Sequence, residues 1–346
     1  MPRIKAPRKY KLLFYIEQNY SFDILRPLQE HARQLGHQVC WFLAGRDVSA
    51  CFLQDDENIL ATITDVKRYH PDLVYAPGNV IPAFIPGLKI QVFHGLNDSK
   101  RGRFVKDRGM VDLYCTQGHE RTDILLPMSL EKGYFQVVET GWLKLDTLYK
   151  QTQQQTFSRP QILIASTFTP SLSCAESIFE TISKLVDSQN WQWLVTLHPK
   201  MSAQTVAKYK NLEGENLIFL ENDKVIAGMH RADIMVSDNS SVLTEFLMLN
   251  KPVVTFNNSN PLPCFINITA VEALQGAIEQ ALSPSKNLLK EIASYGPSIT
   301  PYRDGKSASR VLEASINMLE SGWVDKKPKN IVRNFKIRQQ LNYWMW

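Results

Sequence analysis

The chain has 346 residues, of which 44% are hydrophobic and 21% charged, and a formal net charge of +5. This length favours two domains, and no apolar stretch approaches the roughly 20 residues that a membrane-spanning helix needs, which excludes an integral membrane protein. The apolar run at residues 12–16 is too short for a signal peptide. Five scattered cysteines without CxxC spacing argue against a disulfide framework and a zinc site. We therefore expect a cytoplasmic protein.

Positive charge is concentrated at the two ends of the chain. Residues 1–11 and 324–346 together carry +10, which leaves −5 for the body between them. An acidic body argues against a nucleic-acid-binding protein, whereas basic ends predict that the tails touch a surface.

The first part of the chain alternates short apolar runs with helical or polar spacers. A helix is predicted over residues 22–35, and strands are predicted over residues 11–16, 38–43, 73–76, 90–93 and 113–116. Strands that alternate with helices imply a parallel sheet covered by helices on both faces. We assign residues 1–148 to this first domain.

The same alternation restarts after a polar, glutamine-rich linker at residues 149–160. Helices are predicted over residues 174–188, 226–232 and 241–249, and strands over residues 161–165, 191–197, 217–220, 234–236 and 252–256. The second domain is assigned to residues 161–320 and a basic aromatic tail to residues 321–346. The predicted fold is α/β, with two doubly wound Rossmann-like domains facing across a cleft, and ligands are expected outside the carboxyl ends of the strands.

Two predicted strands run directly into histidines, His94 in the first domain and His198 in the second. A single histidine more often has a structural role, but two strand-end histidines from opposite domains are typical of a cleft enzyme. Histidine suits general base catalysis because its unperturbed pKa is about 6.5. The other five histidines lack that setting and are assigned to structural or surface positions: His31, His37, His70, His119 and His230.

Two further segments have the composition of anion sites. Residues 237–241, Ser-Asp-Asn-Ser-Ser, connect a strand to a helix, where backbone N–H groups and the helix dipole favour an anion. The alternative is that Ser237 or Asp238 simply caps the helix. Lys306 and Ser307 begin the last long helix after an Asp-Gly turn and offer a second phosphate site, with a capped surface helix as the alternative.

These four segments, taken in order, resemble the CDP-glycerol glycerophosphotransferase family, which builds glycerol-phosphate teichoic acids and related capsule polymers. Residues 139–146 and 162–168 add weaker similarities, and the resemblance spans roughly residues 85–312. It implies a GT-B fold whose second domain binds the nucleotide donor.

The resemblance also implies roles for individual residues. His94 would deprotonate an acceptor hydroxyl, and His198 would contact the donor diphosphate while CMP leaves. Glu245, a weaker candidate than the phosphate-contacting residues, would contact the nucleotide ribose. The full set of implied donor contacts besides His198 is Ser166, Thr167, Lys200, Asp238, Ser240, Ser241, Glu245, Lys306 and Ser307. The implied acceptor is a hydroxyl of a cell-surface glycan or a lipid-linked molecule, and no cofactor besides the substrate, CDP-glycerol or a similar nucleotide donor, is implied.

Three positions depart from the family pattern. Leu96-Asn97 replaces the usual Thr-Pro, Lys200 replaces an arginine, and Ser166 replaces a proline. Lysine keeps the charge but lacks the two-pronged hydrogen bonding of arginine. The identity of the donor therefore stays open.

The tail ends in tryptophans beside cationic residues, which is typical of an interfacial membrane contact. The alternative is that the tail packs back on the first domain. Residues 17–21, after the first strand, are expected to meet the acceptor.

Other functions are also compatible with the sequence. A GT-B glycosyltransferase would use a CMP-sugar or another nucleotide-sugar donor, and a sugar-nucleotide epimerase would convert its substrate without an acceptor. A non-catalytic binding protein is the remaining alternative. No Asp-x-Asp or His/Cys cluster has ligand spacing, so activity without a divalent metal ion is predicted.

Overall fold

The computed structural model describes residues 8–95, 107–150, 156–221 and 224–344. The chain forms two compact units: Met1–Lys150 with Ile299–Trp346, and Gln151–Ser298. Parts of the predicted linker and of the segment after His94, and the last two residues, lie outside the described residues. Within the described part of the chain, no helix combines the length and the apolar character needed to cross a membrane.

The first unit is built on a sheet in which all neighbouring strands are parallel, in the order β2-β1-β3-β4-β5-β6. Every residue of β3, β4 and β5 is buried, as expected for parallel strands covered on both faces. The strands are β1 Lys11–Gln18, β2 Gln38–Asp47, β3 Leu73–Ala76, β4 Leu88–Gln91, β5 Leu113–Thr116 and β6 Gln136–Glu139. The strand β6 was not predicted; it is an edge strand whose residues are exposed or only half buried.

Two apolar cores cover the faces of this sheet. Successive side chains of β1 point to opposite faces, so Phe14 packs edge-on against Trp41 with ring centroids 4.8 Å apart, while Tyr15 stacks on Phe42 at 5.9 Å. The helices that follow these strands are α1 Ser21–Gln34, α2 Ile63–Tyr69, α3 His119–Lys132 and α4 Leu143–Tyr149.

The second unit has a parallel sheet in the order β12-β11-β10-β7-β8-β9. Its strands are β7 Gln161–Ser166, β8 Gln192–Leu197, β9 Leu217–Phe219, β10 Ile234–Ser237, β11 Val253–Phe256 and β12 Phe265–Ile268. Its helices are α5 Ala175–Ser188, α6 Ala203–Lys210, α7 Val225–Arg231, α8 Val242–Leu247, α9 Leu274–Leu282 and α10 Lys286–Ile299. Both units are doubly wound, so the predicted class of two Rossmann-like domains is confirmed.

The C-terminal helices return to the first unit. In α11 (Ser307–Glu320), Ala308, Val311, Leu312 and Met318 enter the same core as Phe14. The predicted second domain extended to residue 320, and here the structure differs. The spacing of apolar residues reveals the buried face of a helix, but it does not reveal which core receives that face.

The tail also packs on the first unit through α12 (Ile331–Gln340) and the residues that flank it. Lys327 Nζ pairs with the buried carboxylate of Asp112, and Asn330 Nδ2 donates to the Gly109 carbonyl at 2.9 Å. Tyr343 is 7% exposed and stacks on Phe84. Packing, one of the two alternatives for the tail, is therefore observed.

Candidate functional site

The strand order of the second sheet defines a switch point between β7 and β10. From β7 the chain adds β8 and β9 on one side of the sheet, and then places β10, β11 and β12 on the other side. In open parallel sheets, ligands bind outside the carboxyl ends of the strands at such a point. The predicted site residues gathered at the ends of β7, β8 and β10 are Ser166, Thr167, His198, Lys200, Asp238, Ser240 and Ser241. We call this set the donor rim.

Asp238 is the central group of the donor rim, and it is fully buried. One carboxylate oxygen accepts hydrogen bonds from Ser166 Oγ at 2.5 Å and from the Cys174 N–H at 2.9 Å. The other accepts from the N–H groups of Thr167 at 3.1 Å and Ser240 at 3.0 Å. These bonds hold the connections after β7 and β10 together. We therefore correct the predicted donor contact of Asp238 to a positioning role, because both oxygens are occupied and a carboxylate would repel a diphosphate.

Asn258 ties a third connection to the donor rim. It lies just after β11, is 8% exposed, and donates from Nδ2 to the Asp238 carbonyl at 2.6 Å. Asn239 Oδ1 accepts from the Ser259 N–H at 2.9 Å, which bridges the same two connections. Asn258 was not among the predicted site residues, although an asparagine-rich segment directly after a strand indicates such a turn.

Ser240 and Ser241 differ from Asp238 in that their hydroxyls are not committed to strong internal bonds. Ser240 is half-buried, and its Oγ accepts only a long bond of 3.5 Å from the Val242 N–H. Ser241 occupies the N-cap position of α8, is exposed and makes no side-chain capping bond. Ser237 Oγ donates instead to the Ala165 carbonyl at 2.5 Å. Neither Ser237 nor Asp238 is the N-cap, so the capping alternative is wrong.

His198 has a defined protonation geometry. Its Nδ1 accepts the Lys200 N–H at 3.0 Å, which leaves the proton of the neutral ring on Nε2. The Phe168 ring lies 4.4 Å from the His198 ring. Burial, and then the Lys200 charge, lower the pKa of His198 below its usual value. At neutral pH this histidine is therefore a hydrogen-bond donor rather than a cation, which suits a phosphate or hydroxyl oxygen as partner.

Glu245 lies on α8, one turn beyond Ser241, and is 7% exposed. Its neighbour Thr244 is within hydrogen-bonding distance of the Tyr295 hydroxyl, 3.2 Å between the two oxygens. The ribose contact of Glu245 stays a prediction.

Lys306 and Ser307 do not form an open phosphate site. Ser307 is buried, and the N–H groups of Ser307 and Ala308 donate to the carboxylate of Asp146 at 3.0 and 2.7 Å. The start of α11 therefore already holds an anion, which the chain itself supplies from α4. We correct the predicted phosphate contact of Ser307 for this reason, while Lys306 is exposed.

In the first unit, His94 follows β4 and is exposed. Its ring lies 5.4 Å from the ring of Tyr20. The preceding residue, Phe93, has φ +57°, an unusual value for a bulky residue, and it is held by packing under Arg121, whose guanidinium lies 4.4 Å from the ring centroid. Residues 96–106, which follow His94, lie outside the described part of the chain.

His119 was assigned from the sequence to a structural or surface position, and it is exposed in the structure. It begins α3, three residues after β5 ends, and its Nδ1 lies 3.3 Å from Glu139 Oε2 at the end of β6. The same carboxylate oxygen accepts from Thr122 Oγ1 at 2.8 Å. Donation from Nδ1 to the carboxylate leaves Nε2 of a 58% exposed side chain as a proton acceptor. In the sequence, His119 follows the strand predicted at residues 113–116, at the end of the strand where ligands are expected.

A cavity of ≈ 920 Å³ lies at the corresponding switch point of the first sheet, between β1 and β3. Burial raises the pKa of Glu17, one of the expected acceptor-contacting residues, and Gly78 lies against its carboxylate. The residues lining the cavity include Tyr15, Glu17, Gln18, Tyr20, Gly45, Asp47, Gly78 and, from α12, Lys336, Gln339 and Gln340. Among the described residues, no three His, Cys, Asp or Glu side chains cluster as they would to hold a metal ion.

Comparison with known families gives a match over residues 110–315, more than half of the chain, to the family described as UDP-N-acetylglucosamine 2-epimerase. The chain belongs to the UDP-N-acetylglucosamine 2-epimerase family. The matched segment of this family member contains the donor rim, His119 and Glu139, whereas His94 precedes it. No curated protein sequence matches the chain.

Solved structures of low sequence identity share the fold of this family member. A UDP-N-acetylglucosamine 2-epimerase aligns with a TM-score of 0.61 at 15% identity, covering 93% of this chain and 99% of the other. The S. aureus MnaA–UDP co-structure gives 0.59 at 15% identity, with 92% and 99% covered. The wall teichoic acid polymerase TagF gives 0.64 at 14% identity, with 90% and 89% covered. The GT-B fold class is therefore confirmed, and the resemblance to the glycerophosphotransferases is supported at the level of this shared fold.

Proposed function

We propose that this chain is a sugar-nucleotide epimerase, which inverts one carbon of a sugar attached to a nucleoside diphosphate. The family match over residues 110–315 carries the proposal, because it includes both the donor rim and the His119–Glu139 pair. A nucleotide ligand is in keeping with the UDP that MnaA binds in its co-structure. An epimerase was one of the alternatives that the sequence left open.

The donor rim supplies groups that suit a diphosphate. Nε2–H of His198 and the hydroxyls of Ser240 and Ser241 are donors, and exposed Lys200 adds one positive charge. Donors fixed before the ligand arrives lose little entropy on binding, and Asp238 fixes the backbone of one of them by accepting the Ser240 N–H. Glu245 is the proposed partner of the ribose hydroxyls.

The His119–Glu139 pair supplies a group able to move a proton. We propose inversion at the carbon next to C1 by elimination and re-addition: the electrons of the broken C–H bond form a C=C bond to C1 as the C1–O bond to the diphosphate breaks. The donor rim would hold the released nucleoside diphosphate until a proton returns to the other face of the carbon and the C1–O bond forms again. The Glu139 carboxylate lies 3.3 Å from Nδ1 of His119, and we propose that it orients the ring so that Nε2 takes the proton. The reaction needs neither an acceptor substrate nor a redox cofactor, and we propose that it runs without a divalent ion in the reducing cytoplasm.

The test is incubation of the purified chain with UDP-N-acetylglucosamine in D₂O, followed by NMR. We expect an epimer that carries deuterium at the inverted carbon, formed without any acceptor. His119→Ala should lower kcat by roughly 10²- to 10⁴-fold, as loss of a general base does. His31→Ala, on α1 of the same unit, is the matched control and should retain full activity. Release of CMP from CDP-glycerol, with no turnover of the UDP-sugar, would refute the proposal.

A second candidate is transfer of glycerol phosphate from CDP-glycerol to a hydroxyl of a glycan or lipid-linked acceptor. Its support is the sequence resemblance around His94 and His198, together with the likeness to TagF, one of whose structures was soaked with CDPG. In this reaction His94 would be the base. It predicts CMP release that depends on an added acceptor and is abolished by His94→Ala, whereas the epimerase tolerates the absence of an acceptor.

A further inference from the structure

The helix α12 presents two different faces. One face is fixed to the first unit: Ile337 is 5% exposed, Tyr343 just beyond the helix is 7% exposed, and the Arg338 guanidinium lies 4.5 Å from the Phe84 ring centroid. These contacts hold the helix in place before any partner arrives. A molecule that binds the opposite face of α12 would therefore meet an ordered helix, and its binding free energy would not be reduced by the entropy cost of ordering that helix.

The opposite face exposes large apolar side chains. Ile331 is 74% exposed, Val332 71%, Phe335 52% and Trp344 44%. Ile331 and Phe335 are one helical turn apart, and the rings of Phe335 and Trp344 lie 5.4 Å from each other. We call these four residues the α12 patch. A contiguous apolar cluster of this kind marks an interaction surface, whereas single exposed apolar residues do not.

The charges in the segment that carries the α12 patch are all of one sign. Residues 326–344 contain six lysines and arginines and no aspartate or glutamate. Lys327 is internal, paired with Asp112, and Arg333 donates to the Arg108 carbonyl at 2.7 Å. The cations that stay exposed are Lys326, Lys329 and Lys336. A partner that covers the α12 patch must therefore carry negative charge at its border.

We propose that the α12 patch docks this protein on the surface of an anionic lipid bilayer. Aliphatic and aromatic side chains beside lysines, with a tryptophan at one end, match the headgroup boundary, where the apolar groups enter the acyl region and the ammonium groups remain at the phosphates. Protein interfaces are by contrast depleted of lysine. The helix lies in the plane of the interface, because it is too short to span the membrane. This proposal is independent of the epimerase activity.

The experiment is sedimentation of the full chain with vesicles of phosphatidylcholine, with and without phosphatidylglycerol. We expect binding at least about tenfold stronger to the anionic vesicles, and we expect it to weaken as salt is raised. The double variant Phe335→Ser/Trp344→Ser should lose about tenfold in vesicle affinity, and Lys329→Ser/Lys336→Ser should lose the preference for phosphatidylglycerol. Leu130→Ser is the matched control, because Leu130 is 79% exposed on α3 of the same unit, and it should bind vesicles like the unmodified chain.

Thermal unfolding of the double variant should match that of the unmodified chain, because the replaced side chains are 52% and 44% exposed and belong to neither apolar core of the first unit. Three outcomes would overturn the proposal: no vesicle binding, equal binding by the double variant and the unmodified chain, or loss of affinity in the Leu130 control of the same size. Light scattering supplies a fourth. A dimer in solution that the double variant abolishes would assign the α12 patch to contact between two copies of the chain.

Discussion

Asp238 and Asp146 are both buried carboxylates that accept backbone N–H groups beside a helix, but they affect the start of the neighbouring helix in opposite ways. Asp238 binds the connections after β7 and β10 and leaves the start of α8 without a side-chain cap. Asp146 instead accepts the N–H groups of the first two residues of α11. The first carboxylate builds the frame of the proposed anion site, and the second occupies the start of α11.

This difference shows that a helix start with serine and lysine does not by itself form a ligand site. Unpaired N–H groups at a helix start attract any anion, and a carboxylate of the same chain satisfies them as well as a phosphate does. The deciding feature is therefore the partner that the fold brings to the helix start.

The largest expected effect is that of removing Asp238. Asp238→Ala should lower the free energy of unfolding by roughly 3 kcal/mol, because it leaves buried donors of the donor rim unpaired. Asp238→Asn, which keeps one accepting oxygen, should lose about half as much. Urea unfolding measures both. If Asp238→Ala is as stable as the unmodified chain, the carboxylate does not hold the rim together.

Removing Asp146 should cost about 2 kcal/mol and should open an anion site at the start of α11. Inorganic phosphate should then stabilise Asp146→Ala more than it stabilises the unmodified chain, in which the donor rim alone is proposed to take it, as urea unfolding with and without phosphate would show. A response of the unmodified chain equal to that of the variant would mean that the start of α11 is open in the native protein.

The pH dependence of Asp146 offers a second measurement. Burial raises the pKa of Asp146, against the opposing effect of the Ala308 and Ser307 N–H groups. The folded chain therefore holds this proton more tightly than the unfolded chain, so the contribution of Asp146 to stability falls as the pH rises from the ordinary to the raised pKa. Relative to Asp146→Asn, the unmodified chain should gain stability on acidification through that range. An unchanging difference would contradict this account.

The smallest expected effect is a difference in UDP binding between variants of Ser241 and Ser307. Ser241→Ala should weaken UDP binding by about fivefold, since one hydrogen bond contributes about 1 kcal/mol, whereas Ser307→Ala should leave UDP binding unchanged. Isothermal titration calorimetry compares the two variants directly. Equal losses in both would restore Ser307 to the donor site.

Local features of the sequence were sufficient to predict the doubly wound domains. Strands such as β3 and β5 coincide with their predicted bounds, because a short apolar run between turn residues has few other ways to fold. The edge strands β6 and β12 were missed, because a half-buried strand carries no such run. The residues of the donor rim were predicted as site residues because they follow such apolar runs, at the ends of β7, β8 and β10.

Only the tertiary structure decided which of these residues meet. Asp146 and Ser307 are far apart in sequence, as are Asp238 and Ser166. The local sequence around each residue does not predict its hydrogen-bond partner. His119 lies beside the Glu139 carboxylate because β5 and β6 are paired in the sheet. The sequence by itself determined the elements and the polar residues at their ends, because those depend on local spacing. The fold decided whether each end binds a ligand, orients a neighbour or is already filled, because that depends on contacts between distant segments.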